Sequence, residues 1–220
     1  MAEKLIFIST KTNPFYEKVV NYDFVPGNSP SQRKKNVANL NNALSKLFPG
    51  LKALEISTKS ENKIGRLLSA FHLKLDDKYI ESIFQSSKVF EDGSQYSFLI
   101  DKKPIEAKRF INSLAKKEIV GFRFKGIDYP INPKSLFYDY LFVTALRNNP
   151  ELSLNLKNYD IFTDIEFNYK KSVNCQARAC AIYSYLLKTG NVDKYVDDIC
   201  LFKKLYDGIH SDSISLFDIK

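Results

Sequence analysis

Residues 79–93 read YIESIFQSSKVFEDG, and the spacing within them decides how the rest of the chain is arranged. Wound as a helix, Ile80, Ile83 and Phe84 fall on one stripe, three and four residues apart. At about 100° per residue, Glu81, Gln85 and Lys88 form a second stripe beside the apolar one, with Ser82 and Ser86 further round. A carboxylate, an amide and an amine on the flank of a buried face point into the margin of a pocket. A row of solvated surface charges has the same pattern. The neighbouring segments must decide between the two.

Upstream, GRLLSAFHL reads as a short strand over 67–73, with Gly65 allowing a tight approach before it and a turn at Asp76-Asp77 after it. Leu54 and Ile56 suggest another short strand, followed by the polar loop Ser57-Thr58-Lys59-Ser60. Further back, Ser29-Pro30-Ser31-Gln32 is a helix start, with Ser at the N-cap, Pro first and Gln third. That helix turns Val37, Leu40, Leu44 and Leu47 inward and stops at Pro49-Gly50. Arg33, Lys34 and Lys35 crowd its first turn, where the dipole disfavours cations, so this turn either meets an anion or is simply solvated. Leu5–Ile8 reads as a strand, and the stretch to Pro30 as a packed loop with one or two more.

Downstream, residues 102–117 form a lysine-rich exposed helix, and 120–125 alternate like a strand entering a hairpin. Asn132-Pro133 opens a helix, KSLFYDYLFVTALRNN, that is apolar nearly all round and belongs in the middle of the fold. A short helix follows Asn149-Pro150. YDIFTDIEFN alternates, with Ile161, Thr163, Ile165 and Phe167 on one side and Phe162, Asp164 and Glu166 on the other. VNCQARACAIYSYLLKTG is a helix closed by Gly190, and Ala177, Cys180, Ala181 and Ser184 give it a small-residue face. The tail from Asn191 adds one helix and a loosely constrained end. The expected class is α+β, mainly helical with a few short strands, as a single structural unit. Residues 1–50 would be an N-terminal extension packed on a core of residues 51–220.

Composition narrows the chemistry. The chain has 220 residues, 44% hydrophobic and 26% charged, enough for a real core. Phe (17) and Tyr (13) are abundant and Trp is absent, so any stacking surface uses Phe and Tyr. A net charge of +8 favours a nucleic acid or phosphate-bearing partner, although lysine-rich usage also occurs without one. There is no P-loop, GxGxxG, GxSxG or HExxH. Cys175, Cys180 and Cys200 lack CxxC spacing and fit helix packing in a reducing cytoplasm. With only His72 and His210 beside them, no metal site and no cofactor is expected. No apolar run spans a bilayer and MAEKLIFIST lacks a signal-peptide core, so no membrane partner is expected either. The acidic candidates are Glu81, Asp164 and Glu166, and the amine candidate is Lys88.

These residues carry a resemblance. GRLLSAFHL followed by YIESIFQSSKVFE resembles the NADAR family pattern, in which a Phe-Ser-Asn-Phe-like strand precedes a helix of the form E-h-x-x-Q-x-x-K. Glu81, Gln85 and Lys88 fill that helix at its spacings. ALRNNPEL is similar to the family's K-F-x-Q-N-P-E-L pair. TDIEFN and SVNCQARACAIYSYL resemble its acidic segment and its G-x-N-x-L-G-x-x-L-M helix, so the likeness covers about residues 54–190. The chain departs where Ile165, Glu166 and Phe167 replace Trp-Gly, SAF replaces Ser-Asn-Phe, and Cys175-Gln176 replace Met-Leu. The N-terminal part and FTDIEFN look most like members paired with DarT-type DNA ADP-ribosyltransferase toxins.

The resemblance implies an N-glycosidase that cuts the bond between a ribose C1 and a nitrogen. It implies that Glu81 moves the proton, with burial beside Phe71 and Phe84 raising its pKa toward neutrality. Lys88 would attack the opened sugar as a neutral amine, and Asp164 would hold ribose hydroxyls. Ser57, Lys59, Gly65 and Arg66 would cradle a diphosphate, Phe71 would stack on a base, and Ser69, Gln85 and Asn174 would complete the substrate contacts. Arg178 is a further cation in range. The implied substrate is ADP-ribosylated guanine in DNA, single-stranded or flipped out, with ADP-ribose as product and a DarT-type toxin as functional partner of a monomer. The alternatives are a glycosidase of small phosphorylated N-glycosides such as riboflavin-pathway intermediates, a non-catalytic ADP-ribose or nucleic-acid binding module, and direct sequestration of the toxin.

Overall fold

The computed structural model describes residues 1–27, 29–114 and 117–207. Residues 208–220, including His210 and the end of the expected tail, lie outside the described residues. The chain opens with strands β1 (Ala2–Ile8) and β2 (Tyr16–Tyr22), then helix α1 (Pro30–Leu47) and strand β3 (Ala53–Glu55). Helix α2 (Lys63–Leu67) and the small ladder of β4 (Lys74–Leu75) with β5 (Lys78–Tyr79) lead into α3 (Ile80–Ser86) and β6 (Lys88–Phe90). Helix α4 (Pro104–Ser113) precedes the hairpin of β7 (Ile119–Phe124) and β8 (Ile127–Tyr129). Helices α5 (Leu136–Arg147) and α6 (Pro150–Ser153), strand β9 (Ile161–Thr163) and helices α7 (Gln176–Thr189), α8 (Val192–Val196) and α9 (Ile199–Lys203) complete the order.

The chain is α+β, as expected. Among the described residues the main sheet has four strands in the order β2-β1-β9-β3. β1 is antiparallel to β2 and to β9, and β9 is parallel to β3, with Leu54 opposite Phe162. The period-two side-chain alternation splits the sheet between two cores. Ile6, Ile8, Val20 and Ile161 pack with Leu40, Leu44 and Phe48 of and beside α1. Phe7, Leu54 and Phe162 pack on the other side with α3, α5 and α7. The sheet thus stands between α1 and the helical body that carries the cavity described below.

Two helices follow their sequence signals closely. Ser29 and Gln32 form a reciprocal capping box on α1, whose basic first turn is in contact with an anion of the protein itself: Arg33 pairs with Glu166. Gly190 closes α7 in the left-handed region at φ 68°, and the Asn191 N–H bonds back to Leu186. α5 is buried on nearly every side and packs against α7, in which Ala177, Cys180, Ala181 and Ser184 are buried.

Other boundaries differ. Leu47 is exposed, and Phe48 fills the inward place. Residues 67–73 do not form a strand: after α2 the chain makes tight turns, with His72 and Leu73 N–H both bonded to the Ser69 carbonyl. α4 is shorter than the expected 102–117, and α5 begins at Leu136 rather than after Pro133. The alternation of YDIFTDIEFN stops at Thr163, because Asp164 Oδ1 accepts from the Glu166 N–H at 3.0 Å and turns the chain. Phe167 then packs near Phe7 instead of sharing a face with Ile161.

Candidate active site

The most consequential difference concerns the opening stretch. α3 ends at Ser86, because the Ser86 and Ser87 hydroxyls both donate to the Ile83 carbonyl, at 2.9 and 2.7 Å. Lys88 is therefore the first residue of β6, paired with Phe122 of β7, and not a residue two turns along a helix. Its side chain nevertheless returns to the helix. Lys88 Nζ donates to Gln85 Oε1 at 2.7 Å, and Gln85 Nε2 donates to Glu81 Oε1 at 2.9 Å. The amide thus links amine and carboxylate on one wall.

That wall lines a cavity of about 740 Å³. Glu81 and Gln85 are buried and Lys88 half-buried. Burial pushes the Lys88 ammonium down to about 8; the Glu81 carboxylate opposes this shift and the Lys108 ammonium adds to it. Lys88 Nζ sits 5.0 Å from the centre of the Phe84 ring, and Phe84 meets Tyr138 edge-on at 5.1 Å. The Tyr138 hydroxyl is held neutral well beyond the ordinary range by burial, with Glu81 and Asp164 adding to it. It is a hydroxyl donor at all ordinary pH values.

The second wall is acidic. Burial, with Glu55 next to it, raises the Asp164 carboxyl to about 7. Glu55 lies behind the cavity and is also raised by burial; it accepts from the Thr163 hydroxyl at 2.5 Å and the Ile165 N–H at 2.8 Å. Lys4 of β1 is buried beside them and donates to the carbonyls of Ile165 and Phe167, at 2.9 and 2.5 Å. The first strand thus grips the segment that carries Asp164.

Gln176, the first residue of α7, joins the two walls. Its Nε2 donates to Asp164 Oδ2 at 3.0 Å and to the Ile56 carbonyl at 2.6 Å, and its Oε1 accepts from the Ala70 N–H at 2.8 Å. The Ala70 carbonyl in turn accepts from the Glu81 N–H at 3.1 Å. The Ser69-Ala70-Phe71 turn is therefore bonded on one side to the start of α3 and on the other to the start of α7.

Of the candidates named from sequence, Glu81, Lys88, Asp164, Ser69, Phe71, Gln85 and Asn174 line this one cavity. Ser57, Lys59, Gly65 and Arg66 do not; Thr58 of the same loop does. Arg66 turns inward and donates to the carbonyls of Ser60 and Glu61, at 2.7 and 2.9 Å. Gly65 is needed for packing, since a Cβ there would stand 2.0 Å from the Glu55 carbonyl oxygen. Arg178 is buried against Asp139 at 2.8 Å, away from the cavity lining. Lys108 of α4, Tyr138 and Gln176 are site groups that sequence reasoning did not assign. Lys108 Nζ lies 3.8 Å from Glu81 and 5.7 Å over the Phe71 ring. Among the described residues no group of three or more His, Cys, Asp or Glu is arranged to hold a metal ion, and no helix is long and apolar enough to cross a membrane.

The arrangement offers a buried carboxylate, an amine with a lowered pKa, a carboxyl that exchanges protons near neutrality, and an aromatic face at the opening. A family model described as the DarT1-associated NADAR antitoxin matches residues 2–214. No curated protein matches the chain.

Proposed function

The chain belongs to the DarT1-associated NADAR antitoxin family, and from that premise we propose that it is an N-glycosidase that removes ADP-ribose from guanine in DNA, reversing the toxin's modification in the cytoplasm. The observation that carries this reading is the Glu81–Gln85–Lys88 array facing Asp164 across a single cavity.

In this reading the bond between ribose C1 and the guanine nitrogen breaks, and its electrons leave with the base. Glu81 delivers the proton that the departing nitrogen needs, and its carboxylate afterwards takes one from water or sugar. Asp164, oriented by Gln176, holds the ribose hydroxyls and faces the positive charge growing on the sugar. As the bond to the base breaks, the neutral fraction of Lys88 bonds to C1. The bond from C1 to the ring oxygen then opens, the oxygen taking the amine's proton, to give a Schiff base, which water hydrolyses to free ADP-ribose and amine. A pKa near 8 leaves roughly a tenth of the amine neutral at pH 7, against about one part in three thousand for an ordinary lysine. Lys108 beside Glu81, with Thr58 and Asn174 on the lining, are the groups placed to meet the diphosphate or base.

The test is incubation with single-stranded DNA carrying ADP-ribosylguanine, comparing wild type with Glu81→Gln. Release of ADP-ribose and unmodified base by wild type alone is expected. No release by wild type sinks the reading.

A further inference from the structure

Helix α4 leaves one stripe uncovered beside the cavity. At about 100° per residue, Ile105, Lys108, Arg109 and Asn112 share a side. Ile105, Lys108 and Asn112 line the cavity and are exposed, which places them at its opening. The inner side of the helix is filled: Ala107 is buried, and the Phe110 ring meets Tyr96 and Phe98 edge-on at 5.2 Å each.

Lys108 pairs with Glu81 at 3.8 Å, but the other cations on α4 and just before it have no ion-pair partner among the described residues. Lys102, Lys103 and Arg109 are exposed, and none forms an ion pair among the described residues. The carboxylate of Glu106, which could quench them, turns back to the N–H of Lys103 at 3.4 Å. Lys171, which lines the cavity from the segment after β9, is also exposed and unpaired among the described residues. Glu166, on the same lining, pairs with Arg33, and Glu3 pairs with Lys170. The half-buried Phe71 and the 43% exposed Ile105 add flat apolar surface among these charges.

We propose that the α4 stripe, together with Lys102 and Lys103 just before it and with Lys171, is the track for the sugar–phosphate backbone of a single nucleic-acid strand whose modified base enters the cavity. The inference rests on the glycosidase reading above. Unpaired cations interleaved with an aromatic face are the features by which proteins hold single strands, the cations following phosphates and the ring taking a base. From Pro104 to Ser113 the helix runs about 14 Å, the length of a few nucleotides. A paired duplex would offer Phe71 no free base face.

The test uses the full chain with Lys103 and Arg109 both changed to Glu, and a second variant with both changed to Gln. Neither side chain touches Glu81, Lys88 or Asp164. On an ADP-ribosylated single-stranded oligonucleotide, kcat/KM should fall roughly tenfold or more for the Glu pair at low salt, and less for the Gln pair. Its salt dependence should become shallower by about 0.7 in log–log slope for each phosphate that is no longer neutralised. On ADP-ribosylguanosine, which has no flanking strand, both variants should match wild type within about twofold. Equal losses on the two substrates, or no loss on the oligonucleotide, overturns the track. If wild type turns over neither substrate, the glycosidase reading fails. The track is then decided by fluorescence anisotropy of a labelled oligo(dT), which must bind wild type more tightly than the Glu pair.

Discussion

Lys88 donates to Gln85 at 2.7 Å although the two residues belong to different elements, a strand and the helix before it. A lysine on a helix pivots freely on its stem. This one is fixed at its backbone by the ladder with β7 and at its tip by an amide that is itself bonded to Glu81. The amine is thereby held in one place.

Activity should therefore rise with pH through about 8. Burial depresses Lys88, and in the proposed reaction it acts as the neutral form, so the competent fraction grows as the proton leaves. A kcat/KM profile measured from pH 6 to 9.5 should show this ascending limb. Lys88→Ala should abolish borohydride trapping of a sugar–protein adduct, and a trapped adduct in Lys88→Ala would remove the lysine from the mechanism.

Glu81→Gln keeps the side-chain volume and can still meet Gln85, but can no longer exchange a proton. We expect kcat to drop by roughly 10²–10⁴-fold with ADP-ribose affinity largely retained, as read by calorimetric titration beside steady-state rates. Loss of binding with unchanged kcat would make Glu81 a binding residue only.

Gln176→Ala removes three hydrogen bonds at once and leaves the Ala70 N–H and the Ile56 carbonyl without a side-chain partner. Each buried group so orphaned costs about 1–3 kcal/mol. Urea denaturation should show the loss of stability, and kcat should fall as well because Asp164 loses its orienting partner.

Asp164 gives a stability signature with a definite sign. Its pKa in the folded protein, about 7, lies above the ordinary carboxylate value of 3.8, so between those values the folded state holds the proton and the unfolded state does not. This group's contribution is present below about pH 4 and is lost as pH rises to 7. Thermal melts across that range should show a smaller decline for Asp164→Asn than for wild type. Parallel curves would show that the carboxyl is not the group responsible.

Gly65→Ala places a methyl group 2.0 Å from the Glu55 carbonyl oxygen and 2.6 Å from Ser60 Oγ. Since backbone must move to admit it, a loss of about 1–3 kcal/mol is expected from chemical denaturation.

Much of the fold was legible in local signals. The capping box at Ser29–Gln32, the closing Gly190 and the all-round apolarity of 136–147 each describe a short-range physical preference, and each element formed there. What escaped depends on where hydroxyls and cations turn. Ser86 and Ser87 end a helix whose apolar period runs on, and Ser69 draws an apolar run into a turn instead of a strand. Within the site, spacing alone brought out Glu81 and Gln85 as neighbours one turn apart. Arg66 reads as an anion-binding cation yet is consumed by two carbonyls of its own loop. Tyr138 looked like one more core aromatic, and Lys108 like one more solvated lysine. Only the packing of α4 and α5 against α3 turns them toward the cavity.

Lys4 reaches the carbonyls of Ile165 and Phe167 across separations of 161 and 163 residues. During synthesis, the strand that carries this lysine emerges first and waits for its partner until three-quarters of the chain has been made. A contact so distant in sequence forms late and at a high entropic cost. A nascent or prematurely ended antitoxin chain therefore has its Glu81 helix but not the acidic wall that faces it. Loss of the first few residues would likewise remove the lysine that holds the segment carrying Asp164.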